Sequence, residues 1–322
     1  MSLQELASPA IIGSFYDKLE TMDIGWAGLL GGNKSKGGKP YASTQESETY
    51  KFLGLTAGLR QWIGGRVSKP LWVFGQTVLN KPYELTIPVL DEELRRDKTD
   101  QIQERLDTMG DNAVDHWNEL LSTLINDAAT TTGFDGQYFF DSDHTWGNNS
   151  TSQDNDIGVD ISAEPAQVHG DTTAPSPEEA MWTVVHAIET LMGFKDNENK
   201  PLNVGAQKFL VQVVPSLAGA FAAGISGLNQ YNVQGDVLGS AGWDVQLSVN
   251  PRLTSATAVA YVYRLDGPAG PFIIQEELAP EFATLGKGSD HNFFHREQLF
   301  GIHAWRGADY GLWYKAVKAT MT

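Results

Sequence analysis

Three side chains of the types that commonly bind metals stand close together in the middle of the chain. Asp141, Asp143 and His144 lie within four positions, and Asp135 precedes them. Carboxylate and imidazole groups are common metal ligands, and strand alternation would place Asp141 and Asp143 on one face. Such a cluster could serve a metal-dependent hydrolase. Because no second histidine cluster stands at a defined spacing from it, we interpret it as a surface strand end and predict no metal and no cofactor.

Two further patterns resemble metal sites only in part. Residues 154–160 (DNDIGVD) are similar to a calcium loop, which requires glycine at its sixth position and glutamate at its twelfth. In this chain Gly158 is fifth and Pro165 is twelfth, so we predict a solvated acidic loop. His291 and His295 are four residues apart without the glutamate of an H-E-x-x-H motif, and we predict a loop or strand edge there.

Sequence motifs of other common enzyme classes are missing. The chain has no G-x-x-x-x-G-K-[ST] phosphate loop, no G-x-S-x-G nucleophile turn and no strand followed by G-x-G-x-x-G and a helix. It has no cysteine, which excludes disulfides, thiol nucleophiles and Cys-type zinc sites. We therefore predict that the protein is not an enzyme.

Composition and charge restrict the remaining function classes. The chain has 322 residues, 41% hydrophobic and 10% aromatic, so it can bury a sizeable core. No run approaches the ~18 apolar residues of a membrane span, and the first 20 residues lack the pattern of a secretory signal, so we expect neither. The net charge is −17, and residues 135–200 alone contain 13 acidic and 2 basic residues. This acidity argues against sequence-specific binding of duplex DNA, which requires Lys and Arg at the phosphates.

The first third of the sequence predicts an arm followed by β-structure. Residues 1–54 are irregular, and we predict an N-terminal arm rather than a core element. In the β-rich segment 55–97, residues 83–89 (YELTIPV) alternate between apolar and polar side chains. Pro88 favours an edge strand or a projecting hairpin over a central strand.

A long helix is predicted over residues 98–129. Apolar residues recur there every three or four positions as one stripe; they are Ile102, Leu106, Met109, Ala113, Trp117, Leu120 and Leu124. A short strand over 134–143 and a polar loop over 147–176 follow. A second helix begins at Ser176 with a capping box and ends at Gly193. Strands dominate the rest, so the fold class is α+β with segregated elements.

Three blocks in order resemble the major head subunit family of phage Mu and Mu-like prophages. They are residues 42–97, which include LNKPYELTIPVLDEELRRD, residues 133–144 (GFDGQYFFDSDH), and residues 271–317, which include PFIIQEELAPEF and REQLFGIHAWRGADYGLW. The likeness extends through Met181 and LVQVVPSLAGAFAAGI. Thr145 departs from the family, in which proline is expected after His144.

The resemblance implies the tailed-phage major capsid fold of the Hong Kong 97 type. The first implied parts are an N-terminal arm (1–54) and an extended β-hairpin loop with its base (55–97), in which the hairpin is Arg66–Leu90. A peripheral domain (98–175) follows, with a spine helix (98–129) and an acidic linker. The last parts are an axial domain (176–265) and strands that return to the peripheral domain (266–322).

The implied function is structural. Copies of the chain would assemble into pentamers and hexamers of an icosahedral shell that encloses double-stranded DNA without sequence-specific binding. The expected location is the virion capsid, assembled in the bacterial host cytoplasm. A portal and a scaffold or protease are the further expected partners. Because no long segment precedes the resemblance, we expect the scaffold to be a separate chain. An encapsulin-like compartment of the same fold is the alternative.

The projecting hairpin is the predicted contact surface between subunits. Exposed apolar side chains on a hairpin are a liability in a monomer, and a neighbouring subunit would cover them. A contact between two different surfaces closes into rings. The residues that we assign to this surface are Arg66, Lys69, Trp72, Phe74, Lys81 and Tyr83.

The acidic charge leads to a test with DNA. The purified protein is expected not to retard a short DNA duplex in a gel at ~0.15 M salt, because its net charge of −17 repels the phosphates. A basic DNA-binding protein in the same gel is the positive control. Retardation that weakens as the salt concentration rises would contradict the prediction.

Overall fold

Two sheets and one long helix dominate the computed structural model. The structure describes residues 13, 16, 23–53, 73–96, 101–146, 149–163, 170–196, 199–227, 242–254 and 256–322. These residues form a four-stranded sheet, a five-stranded sheet and two two-stranded ribbons. None of the described helices combines the length and the apolar character needed to cross a bilayer.

The elements follow in chain order. The helices are α1 (Trp26–Gly31), α2 (Asp91–Arg96), α3 (Gln101–Asp127), α4 (Pro177–Gly193), α5 (Ala218–Gly227) and α6 (Asp290–His295). The strands are β1 (Tyr41–Ala42), β2 (Ser47–Leu53), β3 (Val73–Leu79), β4 (Lys81–Leu90), β5 (His144–Trp146), β6 (Asn149–Gln153), β7 (Asp156–Val159), β8 (Lys208–Val213), β9 (Asp244–Val249), β10 (Val259–Arg264), β11 (Phe272–Leu285), β12 (Glu297–Tyr310) and β13 (Ala316–Met321). The α+β fold class predicted from the sequence is confirmed.

The four-stranded sheet has the order β1-β11-β12-β4. Strands β11 and β12 form a long antiparallel hairpin, and β4 pairs antiparallel with β12 from Lys81↔Arg306 to Leu90↔Glu297. Strand β4 lies at the sheet edge, as Pro88 predicts. The apolar face of its alternating sequence packs against α3 in a small core that includes Val89.

The predicted hairpin over Arg66–Leu90 is wrong in its pairing. The projecting ribbon consists of β2 and β3, paired antiparallel from Ser47↔Leu79 to Leu53↔Val73. One strand of the ribbon therefore lies in the predicted arm, whereas β4 belongs to the sheet. The reason is that alternation identifies a strand with one apolar face, here covered by α3, but does not identify which strand pairs with its backbone edge.

The described part of the predicted N-terminal arm also contains a core element. Helix α1 buries Ala27 and Leu30 completely in the large core and packs on β11 and α3. Gly270 permits this approach, because a Cβ at that position would lie 2.0 Å from the carbonyl oxygen of Leu30. The prediction of an arm without core contacts is therefore wrong for α1. Most of the segment before residue 23 lies outside the described residues.

Helix α3 confirms the predicted long helix, with bounds 101–127 in place of 98–129. Its buried stripe agrees with the prediction as far as Trp117 and then continues through Leu121 and Ile125, one position later than predicted. The first half of α3 packs in the small core beside β4 and β12, and the second half packs in the large core. The helix therefore joins the two sheets.

The segment between α3 and α4 differs from its prediction. Residues 134–143 form turns rather than a strand, and the predicted polar loop contains β6 and β7. Strand β7 pairs with β13 at the edge of the five-stranded sheet. Fully buried Asn155 explains the error: its amide nitrogen donates to the carbonyl of Phe139 at 2.9 Å, and its amide oxygen accepts from the backbone of Asp141 at 2.9 Å. A buried polar residue thus stabilises the core by pairing with backbone hydrogen-bonding groups.

The five-stranded sheet has the order β7-β13-β10-β8-β9, with α4 packed on it. Helix α4 begins as predicted: the Ser176 hydroxyl accepts from the backbone N–H of Glu179, and the Glu179 carboxylate accepts from that of Ser176. Strand β13 pairs with β10 and β7. The final strand therefore does not return to the four-stranded sheet, unlike β11 and β12.

A buried lysine lies between this sheet and the loop before β11. Lys315 is 3% exposed, and its ammonium donates to the carbonyl oxygens of Asp266 at 2.9 Å and Ala269 at 2.6 Å. Burial, together with the nearby cations Arg264 and Lys34, lowers the pKa of Lys315 to about 8 from its ordinary value of 10.5. The nearby carboxylate of Asp266 acts in the opposite direction.

The lysine predicts a pH dependence of stability. Between pH 8 and 10.5 the folded protein has lost a proton that the unfolded chain retains, so the free energy of unfolding rises with pH. The increase in the free energy of unfolding is complete above pH 10.5, where Lys315 is neutral in both states. It is lost as the pH falls through about 8, where the folded protein takes up the proton again. Relative to Lys315→Met, the parent should gain about 3 kcal/mol across this window. Urea unfolding at several pH values measures it, and parallel curves for the two proteins would refute it.

Candidate assembly surface

The projecting ribbon is attached to the four-stranded sheet through buried amides at its base. Gln275 on β11 is fully buried, and its side-chain nitrogen donates to the carbonyl of Val78 at 3.0 Å and to the side chain of Asn80 at 2.9 Å. Its side-chain oxygen accepts from the Tyr50 hydroxyl at 2.9 Å. Asn80 in turn donates to the carbonyl of Gln45 at 2.8 Å. These bonds fix both strands of the ribbon to β11.

A second attachment joins the ribbon to β12. The Gln76 side chain donates to a carboxylate oxygen of Asp309 at 2.9 Å. Strand β3 also passes very close to Gly307, where a Cβ would lie 2.6 Å from the carbonyl oxygen of Leu79. Burial of the Asp309 carboxyl raises its pKa, while the bond from Gln76 acts in the opposite direction. The base of the ribbon is therefore fixed on two strands of the sheet.

Beyond this base the described ribbon is largely open to solvent. Exposed residues include Thr49, Lys51 and Gly75. The whole ribbon has seven residue pairs, about 24 Å at ~3.4 Å each, and three of these pairs lie beyond Tyr50↔Gln76, a length of about 10 Å. An isolated two-stranded hairpin is marginally stable in water. A neighbouring surface that covers the ribbon would therefore stabilise it.

The structure separates the six residues that the sequence assigns to the contact surface. Arg66, Lys69 and Trp72 lie outside the described residues. Phe74 lies in β3, opposite Phe52, and its side chain is not described. Lys81 and Tyr83 begin β4, where Lys81 is exposed and Tyr83 is half-buried. The last two thus belong to the sheet edge rather than to the ribbon.

Tyr83 lines a groove between β4, β12 and α3, which we call the helix groove. Its ring meets the His116 ring edge to face, with centroids 4.3 Å apart. The cavity has a volume of about 200 Å³, and its other lining residues include Ala113, Glu119 and Ile302. Burial, with Glu119 nearby, raises the pKa of Tyr83, whereas burial, with Arg306 nearby, lowers the pKa of His116. Both rings are therefore neutral at pH 7.

A buried arginine forms the floor of this groove and was not identified from the sequence. Arg306 is 3% exposed, and its guanidinium donates to a carboxylate oxygen of Glu276 at 3.1 Å and to the carbonyl of Ala113. It also stacks over Trp117, 4.5 Å from the ring centroid. Burial lowers its pKa, and Glu276 counteracts the shift. An isolated arginine in a strand sequence gives no signal of this role.

The candidate metal ligands are arranged as a structural cluster. His144 is fully buried, its Nδ1 lies 2.7 Å from a carboxylate oxygen of Asp135, and its ring stacks on Trp313 at 4.1 Å. Asp141 accepts hydrogen bonds from the backbone, and Asp143 is exposed, with its pKa raised chiefly by a hydrogen bond with Asp141. Among the described residues, no three His, Asp or Glu side chains are grouped to hold a metal ion.

The similarity of 154–160 to a calcium loop also reflects structural contacts. Asp154 accepts from the backbone N–H of Asp156 at 2.8 Å, and the Asp156 carboxylate pairs with Lys318 at 2.9 Å. The carboxylate of Asp160 accepts from the hydroxyl of Ser162 at 2.6 Å. These groups cap turns and tie β7 to β13.

The predicted loop around His291 and His295 is instead a short helix at the tip of the β11–β12 hairpin. The Ser289 hydroxyl accepts from the backbone of Asn292 at the start of α6, and Arg296 adopts a left-handed conformation (φ 55°) at its end. His291 pairs with a carboxylate oxygen of Glu297 at 2.8 Å. Two exposed phenylalanines lie between the histidines.

Part of this surface is similar to a family of known proteins. Residues 39–166, which include the ribbon, β4 and α3, match the family described as "Mu-like prophage major head subunit gpT". These residues are therefore similar to Mu-like major head subunits. Over 107 residues the chain is 31% identical to the Mu-like prophage FluMu major head subunit of Haemophilus influenzae, covering 33% of this chain and 35% of that protein. Over 102 residues it is 30% identical to the major capsid protein of Escherichia phage Mu, covering 32% and 33%.

The chain thus spans about a third of the length of the curated relatives that it matches. The family match includes the first two blocks that carry the resemblance to Mu-like head subunits, at 42–97 and 133–144. The third block, at 271–317, lies beyond the matched residues, and its family assignment stays a prediction.

Solved structures extend the likeness in fold to nearly the whole chain. The procapsid of bacteriophage JBD30 matches with a TM-score of 0.56 at 18% identity, covering 99% of this chain and 76% of that one. The capsid of cyanophage P-SCSP1u gives 0.59 at 11% identity, covering 88% and 85%. A virus-like particle from Pyrococcus furiosus gives 0.53 at 10% identity, covering 97% and 98%. The fold is therefore the tailed-phage capsid fold of the Hong Kong 97 type.

The amide cluster at the ribbon base predicts a measurable stability effect. Gln275→Leu is expected to lower the free energy of unfolding by about 1–3 kcal/mol, because it leaves the buried polar groups of Val78 and Asn80 without their partner. Urea unfolding followed by tryptophan fluorescence measures the change. Gln45→Leu, at an exposed position, is the control and should change stability by less than about 0.5 kcal/mol. Equal effects of the two substitutions would contradict the assigned role.

Proposed function

We propose that this chain is a major capsid protein that assembles with copies of itself into pentamers and hexamers of an icosahedral shell. The shell encloses the double-stranded DNA of a tailed phage or Mu-like prophage. The observation that supports this most directly is the family match of residues 39–166 to major head subunits, joined to a capsid fold over nearly the whole chain. A virion shell also assigns the protein a structural rather than an enzymatic role.

The ribbon supplies a physical reason for self-assembly. It is fixed at its base by the Gln275 amide, and its described part extends about 10 Å beyond the pair Tyr50↔Gln76. Contact of this ribbon with a different surface of the next copy is heterologous, so repetition closes a ring such as a pentamer or hexamer. Permanent interfaces of this kind bury ~2,000–5,000 Å². Arg66, Lys69, Trp72 and Phe74 are the contact residues that we propose; Phe74 lies in β3, and the other three lie outside the described residues.

We assign the two sheets to the two parts of a capsid subunit. The four-stranded sheet with α3 is the peripheral domain, and the five-stranded sheet with α4 and α5 is the axial domain near the capsomer centre. The net charge of −17 suits a container whose wall must not adhere to DNA. The remaining partners are a portal and a scaffold or protease, and assembly takes place in the host cytoplasm.

A protein compartment of the encapsulin type is the second candidate function. The virus-like particle from Pyrococcus furiosus matches 97% of this chain and 98% of its own. The contents of particles distinguish the two candidates. Particles from the native source that contain duplex DNA would support the capsid, and particles that contain a packaged protein would support the compartment.

Shortening the ribbon tests the proposed function. Replacement of residues 51–75 by an Asn-Gly turn keeps Tyr50 and Gln76 at the base but removes the projecting part. The parent chain is expected to form rings or closed particles in negative-stain electron microscopy, and the shortened chain is expected to remain a folded subunit. Circular dichroism and urea unfolding check the fold of the variant. Closed shells from the shortened chain would refute the role of the ribbon, and a parent that stays monomeric would refute the function.

A further inference from the structure

Two phenylalanines at the tip of the β11–β12 hairpin lie almost entirely in solvent. Phe293 and Phe294 on α6 are 78% and 75% exposed, and their rings meet edge to face with centroids 5.3 Å apart. The helix that presents them is held by the Ser289 cap and by buried Asn292, which donates to the carboxylate of Asp91 at 2.9 Å. A rigid aromatic pair is typical of the anchor of a protein–protein interface.

The helix groove has the dimensions and lining to receive an aromatic ring. Its volume is about 200 Å³, and Tyr83, Ala113 and Ile302 contribute to its walls. An apolar cavity of ~150 Å³ is large enough to hold benzene. The edge-to-face contact between Tyr83 and His116 leaves aromatic surface in the wall for further ring contacts.

The charges beside the two surfaces are complementary. At the tip, exposed Lys287 and Arg296 outnumber the exposed carboxylate of Asp290. In the groove, Glu84 and Glu119 are exposed. The chain as a whole has a net charge of −17, so two copies repel each other unless local charges of opposite sign meet. Such local pairs select which surfaces come into contact.

The tip cannot reach the groove of its own chain. Along β12 the extended backbone between Glu297 and Ile302 spans about 17 Å. Strand β12 is paired on one side with β11 and on the other with β4, so it cannot fold back. The ring that fills a given groove must therefore come from another molecule.

We infer that one ring of the Phe293–Phe294 pair of one copy inserts into the helix groove of a second copy. The contact joins two different surfaces, so each copy offers one tip and one groove, and repetition forms a ring or a continuous network. Because the occupant is a second copy of the chain, the inference rests on the proposed function. It adds a contact that is independent of the ribbon.

Engineered cysteines test this contact on assembled particles. The parent chain has no cysteine, so Phe294→Cys with Asn112→Cys, an exposed residue of the groove, forms disulfides only between introduced thiols. After oxidation of purified particles, a non-reducing gel is expected to show a ladder of linked chains that collapses to monomer on reduction. Phe294→Cys with Val204→Cys, which is 72% exposed, is the matched control and should remain monomeric.

A second variant measures the contribution of the rings. Phe293→Ser with Phe294→Ser is expected to lower the yield of particles by at least tenfold while the thermal unfolding midpoint of the subunit stays unchanged, because both side chains lie outside the core. Normal particle yield with this variant would overturn the inference.

The remaining outcomes separate the inference from the proposed function. Particles in which the Asn112 and Phe294 cysteines stay unlinked overturn the inference and leave the capsid function intact. Linked chains from Phe294→Cys alone mean that tips meet one another, and they overturn it as well. A parent chain that forms no particles overturns both.

Discussion

The position of the long helix on its sheet depends on one buried cation. Arg306 lies on β12 and bonds Glu276 on β11, the carbonyl of Ala113 on α3 and the face of Trp117 on the same helix. Removing a charged group from water costs several kcal/mol unless such partners replace the water. The full set of partners exists only when α3 crosses β12 at this point. The arginine therefore fixes the register between helix and sheet, and the groove beside Tyr83 is a consequence of that register.

The β11–β12 hairpin is the element to which the other parts are attached. Its middle holds Arg306 and the helix, and its edges pair with β1 and β4. Gln275 binds the base of the ribbon, and the far end presents α6 with its two phenylalanines. The two surfaces that we assign to contacts between copies are thus mounted on one rigid pair of strands. A displacement of the ribbon or of α6 is therefore transmitted through the backbone of β11 and β12.

Local patterns predicted the two long helices α3 and α4, whereas the short helices α1 and α6 and the strand partners were predicted wrongly. The apolar stripe of α3 and the capping box at Ser176 involve residues a few positions apart, so the sequence alone reveals them. The pairing of β4 with β12 joins residues about 200 positions apart, and alternation cannot identify such a partner. The sequence did not predict β7 because the neighbouring residues in the sequence are polar. Asn155 is buried there because it forms hydrogen bonds with backbone groups, and an apolar pattern does not reveal such a residue. The family resemblance compensated for these errors because it does not depend on knowing which strands pair.

The attachment of the ribbon has a mechanical consequence. Its base is fastened through Tyr50, Gln76 and Val78, and beyond them Lys51 and Gly75 are open to solvent. A small rotation at this base becomes a larger displacement at the end of the described ribbon, about 10 Å away at Leu53 and Val73. Twisting a two-stranded ribbon disturbs little packed core. In the proposed shell, copies of the chain would thereby meet neighbours at different angles while the sheets beneath keep a single conformation.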